Sequence, residues 1–344
     1  MSSAPAGSTI CLNTGSYGSQ SFNGIVKSST VTVRSTEGQG AVISLSIGGT
    51  TSGLRFDKLS IGSSGIQGTA KNITISGSRF TNQLVIRMDA VANANIVIDG
   101  NTFDGISVCS SCYEGRLQVN GGAYPIGVKV TRNHFGGGGE SDGIQIGAPG
   151  VVVGPGNVFD GIRQGSYGRH VDAIQGYGQS KTTITGNYFR NCDAFLMFPD
   201  GGTAEMINNN VFDGGSGNNG IQLGSHIGDV FEHNTVRNVA VNMDKKVEST
   251  KMSQNIIGRN NVMIGTTFKT VDSAGNAACS NCTFDHNLFT SSGSVKGTAS
   301  IVGTPAFVGG SAPTSWAGWQ LAPSSPGFGA ASDGKDMGAI YFGN

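Results

Sequence analysis

One short phrase recurs along this chain: an asparagine, any residue, then a large apolar side chain. It stands at Asn101/Phe103, Asn133/Phe135, Asn157/Phe159, Asn187/Phe189, Asn210/Phe212, Asn234/Val236, Asn261/Met263 and Asn287/Phe289, with Ser78/Phe80 as a degenerate earlier copy. The asparagines are spaced 23 to 32 residues apart. A second phrase follows the first: Asp142-Gly-Ile-Gln145 returns as Asp172-Ala-Ile-Gln175 and as Asp193-Ala-Phe-Leu196. Motifs that return in the same order describe successive turns of a solenoid. The intervening β-branched runs are four to six residues long and alternate in polarity, so the turns are built of strands and not of helices.

One coil cannot bury its own inner face. Stacked coils pair their backbones as parallel strands and align equivalent side chains. On this reading the asparagines form a hydrogen-bonded ladder and take the left-handed conformation of a sharp turn, while the phenylalanines stack in the core. The expected fold is all-β: a single-stranded right-handed parallel β-helix, one domain over 1–344. A cap is expected over about 1–50, coils over 51–300, and a second cap over 301–344. In that last segment prolines break the strands, and Trp316 and Trp319 cover an open apolar end.

Composition removes several functions. Lys and Arg total 22 against 22 Asp and Glu, with no basic run, which argues against nucleic-acid or anionic-membrane partners. No apolar stretch reaches membrane-spanning length. The first nine residues lack the basic-then-apolar layout of a secretion leader. The pairs Cys109/Cys112 and Cys279/Cys282 lie several coils apart, too far for one zinc ion. They are read as local disulfides or as free thiols; disulfides suit an extracytoplasmic protein. Cys192 is read as a core residue.

Alternation in DGIQIG turns Ile144 and Ile146 inward and Gln145 outward. The same phase assigns one outward row to Arg87, Gln118, Gln145, Gln175, Leu196, Gln222 and Asn242, a polar surface suited to hydroxyls and carboxylates. Long loops at 136–141, 162–170, 199–202 and 245–250 border it. Asp142 and Asp172 stand at the corner entering these strands. Stacked carboxylates call for a cation, a proton or a basic neighbour, unless they cap turns through the backbone. Around Asp172 are Arg169, His170, Tyr177 and Lys181, the types that acid–base chemistry needs. His226 is expected on the same side, near Gln222.

The Asn-x-Phe coils and the closing LAPSSP…DGKDMGA resemble the right-handed parallel β-helix proteins of the pectin-lyase-like superfamily over nearly the whole chain. That resemblance implies a secreted, monomeric, polysaccharide-active protein, and three activities compete within it. The first is a lyase cleaving a uronate polymer by β-elimination. In it His170, Tyr177 or Lys181 supply base and acid. The carboxyl is neutralised by Arg169 and the glutamine row, or by a calcium ion on Asp142, Asp172 and Glu140. Arg87, Gln118, Gln145, Gln175, Gln222, His226 and Asn242 bind the chain. The second is an inverting glycoside hydrolase: SDGIQI and HVDAIQ are similar to the polygalacturonase motifs, which maps acid and base onto Asp142 and Asp172. The family's doubled Asp, GHG and RIK motifs are missing. The third is a non-catalytic carbohydrate-binding β-helix.

Overall fold

The computed structural model describes residues 2–88, 91–108, 115–122, 125–166, 171–214, 220–243 and 251–341. The chain divides into two compact units, Met1–Ile174 and Gln175–Asn344. Each is a stack of β-coils whose strands pair in parallel among the described residues.

In the first unit, one sheet stacks Thr9–Leu12, Val26–Ser35, Ser52–Asp57, Lys71–Ser76, Ile96–Asp99, Val128–Thr131 and Val152–Val153. The register lines Phe56, Ile75, Ile98, Val130 and Val153 in one inward row. A second sheet carries two strand columns. One holds the Asn-x-Phe strands, Arg79–Phe80, Thr102–Asp104, His134–Gly136 and Val158–Asp160. The other holds Ala41–Gly48, Ser64–Gly68, Leu84–Met88, Gly115–Gly121 and Asp142–Gly147. Parallel pairing already joins Thr9 to Thr32 and Gly15 to Ala41, so coiling begins near residue 9.

The asparagine ladder is present, with one change from expectation. The Asn101 N–H donates to Asn133 Oδ1 and the Asn133 N–H to Asn157 Oδ1, both at 2.9 Å. The left-handed residue is the one before each ladder asparagine: Gly100, Arg132 and Gly156 here, and Gly186, Asn209, His233, Asn260 and His286 in the second unit. The ladder residue itself must keep an extended backbone to enter its strand, so the neighbour absorbs the turn. Phe80, Phe103, Phe135 and Phe159 stack face to face at 4.3, 4.8 and 4.9 Å between centroids. All four are fully buried, each contributing roughly 2–3 kcal/mol of apolar burial.

The second unit repeats the plan with Thr183–Thr185, Met206–Asn208, Val230–Glu232, Ile257–Arg259 and Thr283–Asp285 in one sheet. Its Asn-x-Phe column starts at Tyr188–Arg190 and its other column at Ala194–Phe198. A short third sheet joins Gly202–Thr203, His226–Ile227, Ser253–Gln254 and Cys279–Ser280. Cys279 and Cys282 form a disulfide. Cys192 is buried, as expected of a core residue, while Cys109 and Cys112 lie outside the described residues.

The C-terminal segment runs back along the flank of the second unit: Ser332 N–H donates to Asn260 Oδ1, Ala339 N–H to Thr235 Oγ1, and Ile340 N–H to Asn209 Oδ1. Phe307, Trp319, Leu321 and Met337 pack on Tyr188, Val211, Val262 and Leu288, the middle residues of successive Asn-x-Phe phrases. Those middle positions face away from the core, and here they are apolar because a strap covers them.

Candidate functional site

In the first unit the corner aspartates are structural centres. Asp142 is 5% exposed and Asp172 is fully buried. Asp142 Oδ1 accepts the backbone N–H of Asp172 at 2.8 Å, and Oδ2 accepts Gln145 Nε2 at 2.8 Å. Gln118 Nε2 in turn donates to Gln145 Oε1 at 2.8 Å. The carboxylate therefore holds the entry of the next coil, and the two amides are committed to this chain. Gln145, at 3% exposed, is not available to a ligand. Gly143 permits the close stacking: a Cβ there would meet the Ala173 carbonyl at 2.5 Å.

Two of the expected roles bear on this corner. A hydrolase needs an acid and a base flanking an open groove; here both carboxyls are buried, and that of Asp142 accepts a backbone N–H. Calcium needs six to eight oxygens around one point. Glu140 Oε1 instead accepts the Ser166 N–H at 2.6 Å, and among the described residues no three His, Cys, Asp or Glu side chains converge on a metal-sized site. Asp142, Asp172 and Glu140 do not fit the ion as a ligand set.

Sequence reasoning missed Arg116, a fully buried guanidinium inside this unit. It donates to the carbonyls of Phe103, Gly136, Gly138 and Ser141 at 2.7, 2.6, 2.7 and 3.2 Å. It thus pins the glycine-rich loop that delivers Asp142. Its phase on the strand matches that of the outward Gln118, so nothing in the sequence marks it as buried.

The polar row is real but divides differently. The register pairs Val85, not Arg87, with Gln118 and Gln145. Arg87 lies in the next outward row, between Gln67 and Asn120. In the second unit Met197 opposes Gln222, which opposes Asn242, which opposes Lys269. Gln222 and Asn242 do sit together, and the exposed Lys269 joins them unforeseen. Leu196 is fully buried and not in the row.

Of the acid–base candidates, Arg169 and His170 lie outside the described residues. Tyr177 is 43% exposed, its hydroxyl donating to Gln175 Oε1 at 2.6 Å. Lys181 is exposed at the left-handed corner that ends the third sheet, equivalent to Ala204, Gly228, Asn255 and Asn281, and off the strand that carries Gln175. Beside that sheet lies a cleft of about 370 Å³ with Asp200, Thr203, Ser225 and Lys251 in its wall.

His226 is not a surface ligand. It is fully buried, its Nδ1 2.5 Å from Asp229 Oδ2 and its Nε2 3.1 Å from the Phe198 carbonyl. A carbonyl can only accept, so Nε2 carries the proton. A Cβ on Gly202 would meet the ring at 2.5 Å, which leaves that position to glycine. Glu205 lies in the same buried cluster at 1% exposed. Burial first, then the Asp229 carboxylate, push its pKa from 4.5 to about 7, against the pull of His226 and Thr182.

No protein-family model matches the chain, and no curated protein matches it. Solved structures do. A mannuronic acid-specific family 6 polysaccharide lyase from human gut microbiota aligns over 87% of this chain and 78% of its own, at 18% identity and TM-score 0.55. A family 6 alginate lyase solved with a trisaccharide aligns over 98% and 89%, at 12% identity and TM-score 0.63. A phage tailspike aligns over 85% and 62%, at 10% identity and TM-score 0.50. Lyases and a tailspike differ in function and share architecture, and at such identity the likeness speaks for architecture. The chain is a parallel β-helix of the type these polysaccharide lyases and tailspikes adopt.

Proposed function

We propose that this protein is a polysaccharide lyase acting on a uronate-containing polymer outside the cytoplasm. The observation that carries this reading is the polar surface on the outer side of the parallel strands, with exposed Gln67 and Arg87 beside half-buried Asn120 in the first unit, and exposed Lys269 in one row with half-buried Gln222 and buried Asn242 in the second. Amides and cations without a phosphate-type cradle suit sugar hydroxyls and carboxylates. The likeness to a mannuronic acid-specific lyase and to an alginate lyase supports the same reading, and the Cys279–Cys282 disulfide fits an oxidising compartment.

In β-elimination a base takes the proton at C5, the C4–C5 double bond forms, and the oxygen on C4 leaves with a proton. Cationic side chains must offset the charge of the uronate carboxyl as C5 becomes carbanionic. Among the described candidates Tyr177 combines an exposed hydroxyl with a neighbouring amide that orients it, and it is assigned the proton-carrying role.

The test is a panel of polymannuronate, polyguluronate, polygalacturonate and glycosaminoglycans, read for ultraviolet absorbance of unsaturated ends and for reducing ends, with and without chelator. Unsaturated ends should appear on at least one uronate polymer. With Asp142, Asp172 and Glu140 unfit for calcium, the chelator should leave that rate unchanged. Reducing ends without absorbance would replace the lyase with a hydrolase; neither signal on any polymer would leave a binding protein.

A further inference from the structure

We infer that the row Gln67–Arg87–Asn120 of the first unit is an anion-selective saccharide subsite, which receives the carboxylate of a uronate ring seated on the neighbouring Gly65–Val85 shelf. The inference rests on the lyase reading above and adds the place where the first unit recognises the charge of the polymer.

Three consecutive strands, Ser64–Gly68, Leu84–Met88 and Gly115–Gly121, stand in unbroken register over this patch. Gln67, Arg87 and Asn120 are therefore neighbours about 4.8 Å apart, all on the outer side. Glycines end the row on both sides. A Cβ at Gly147 would fall 2.8 Å from Asn120 Oδ1, and one at Gly48 would fall 3.6 Å from the Gln67 side chain. The amides thus lie along bare backbone, and the row is low and open. A depression of about 260 Å³ is formed there by Gly49, Gln67, Gly68 and Arg87.

The guanidinium is the charged element. Arg34, Arg55, Arg132, Arg237 and Arg259 each meet a carboxylate, most of them on an adjacent coil. Among the described residues Arg87, like Arg79 of the other strand column, has no such carboxylate and no hydrogen-bond acceptor, and Arg87 alone of the two stands between amides at a depression. Its planar fork is thus available for a bidentate bond to an external carboxylate, a geometry that lysine cannot reproduce. Two residues earlier on the same strand, Val85 points to the same side, and its register partner is Gly65. The pair gives a small apolar shelf beside the charge, and the flanking amides offer donors and acceptors for ring hydroxyls. An apolar floor with a few convergent polar groups is the general form of a small-molecule site. Arg87 lies two strands, or about 10 Å, from the strand that begins with Asp142.

A hydrogen bond to a charged group contributes about 1.5–3 kcal/mol, which corresponds to roughly a 10- to 100-fold change in affinity. Calorimetry on the full chain tests this with oligomers of mannuronate, guluronate and galacturonate, and with the same oligomers after reduction of their carboxyls. Arg87→Ala should lose that factor on the acidic oligomer the protein binds best and nothing on its reduced form. Arg87→Lys should recover part of the loss. Arg79→Ala removes an exposed arginine from the other strand column and should stay within about twofold of the parent, as surface changes of this kind do. Equal losses for Arg87→Ala and Arg79→Ala, no loss for Arg87→Ala, or no binding of any acidic oligomer by the parent would each overturn the subsite. The failures remain distinguishable: unsaturated product with unchanged Arg87→Ala affinity sinks the subsite and spares the lyase. Carboxylate-dependent binding without product does the reverse.

Discussion

Asn133→Ala is expected to destabilise the protein by roughly 3–5 kcal/mol, although it deletes an exposed-type polar side chain and leaves no large cavity. Asn133 is 1% exposed. Its Oδ1 accepts the Asn101 N–H at 2.9 Å and Asn101 Nδ2 at 3.0 Å, and its Nδ2 donates to the Ile98 carbonyl at 2.9 Å and to Asn157 Oδ1 at 3.1 Å. Alanine leaves the Asn101 N–H buried without its partner, and it removes one further buried bond each from Asn101 Nδ2, the Ile98 carbonyl and Asn157 Oδ1. An orphaned buried polar group costs about 1–3 kcal/mol, and the other lost bonds contribute about 1 kcal/mol each. Thr102→Ala, on the outward side of the adjoining coil, should change stability by less than about 0.5 kcal/mol. Chemical denaturation of the three proteins checks the contrast; an Asn133→Ala variant within 1 kcal/mol of the parent would show that the ladder is ornamental.

The same ladder explains how much of the architecture could be read from residues alone. Asn and Phe recur because each occupies a site with one chemical solution, a backbone-bridging amide and a stacking ring. That repetition survives coils of unequal length. The turn itself leaves no such trace. Gly100, Arg132, Gly156, His233 and Asn260 all take the left-handed position, since that backbone demand is met by any residue the surroundings permit. Alternation likewise gives the side of a sheet but not the rung. Val85 and Arg87 share a phase, and only the hydrogen-bond register decides which of them meets Gln118.

His226 shows the limit most clearly. It lies on a strand of two residues, too short to display any period, so inward and outward were indistinguishable. The strap had a legible signal that went unused. Middle residues of the phrase are Thr102, His134 and Val158 early in the chain, and Tyr188, Val211, Thr235, Val262 and Leu288 later, where all but Thr235 are apolar. A run of apolar residues at an outward position means that something covers them. The burial of Asp142 and Asp172 left no trace in the sequence for a related reason: a carboxylate at a coil corner serves a backbone N–H as readily as it serves a substrate, and sequence carries no measure of burial.

Glu205→Gln should stabilise the protein at alkaline pH and flatten its dependence on pH. The parent carboxyl is 1% exposed, with Oε2 accepting the Thr182 N–H at 2.8 Å. No donor among the described residues reaches Oε1. Burial and the nearby Asp229 carboxylate raise its pKa from 4.5 to about 7. Between these values the folded state holds a proton that the unfolded state has released. Stability therefore falls as pH rises through that window and levels off above about 7. At about 1.4 kcal/mol per pKa unit the loss from this one group approaches ~3 kcal/mol at pH 8. Glutamine keeps the acceptor for Thr182 and has no charge to bury beside Asp229, so the variant should exceed the parent by an amount of that order at pH 8 and match it near pH 5. Thermal unfolding from pH 5 to 8 reads both slopes. A parent equally stable at both ends, with the variant weaker throughout, would mean that Glu205 is ionised and compensated within the fold. The buried His226–Asp229–Glu205 cluster would then be a satisfied ion network and not a site of stored charge repulsion.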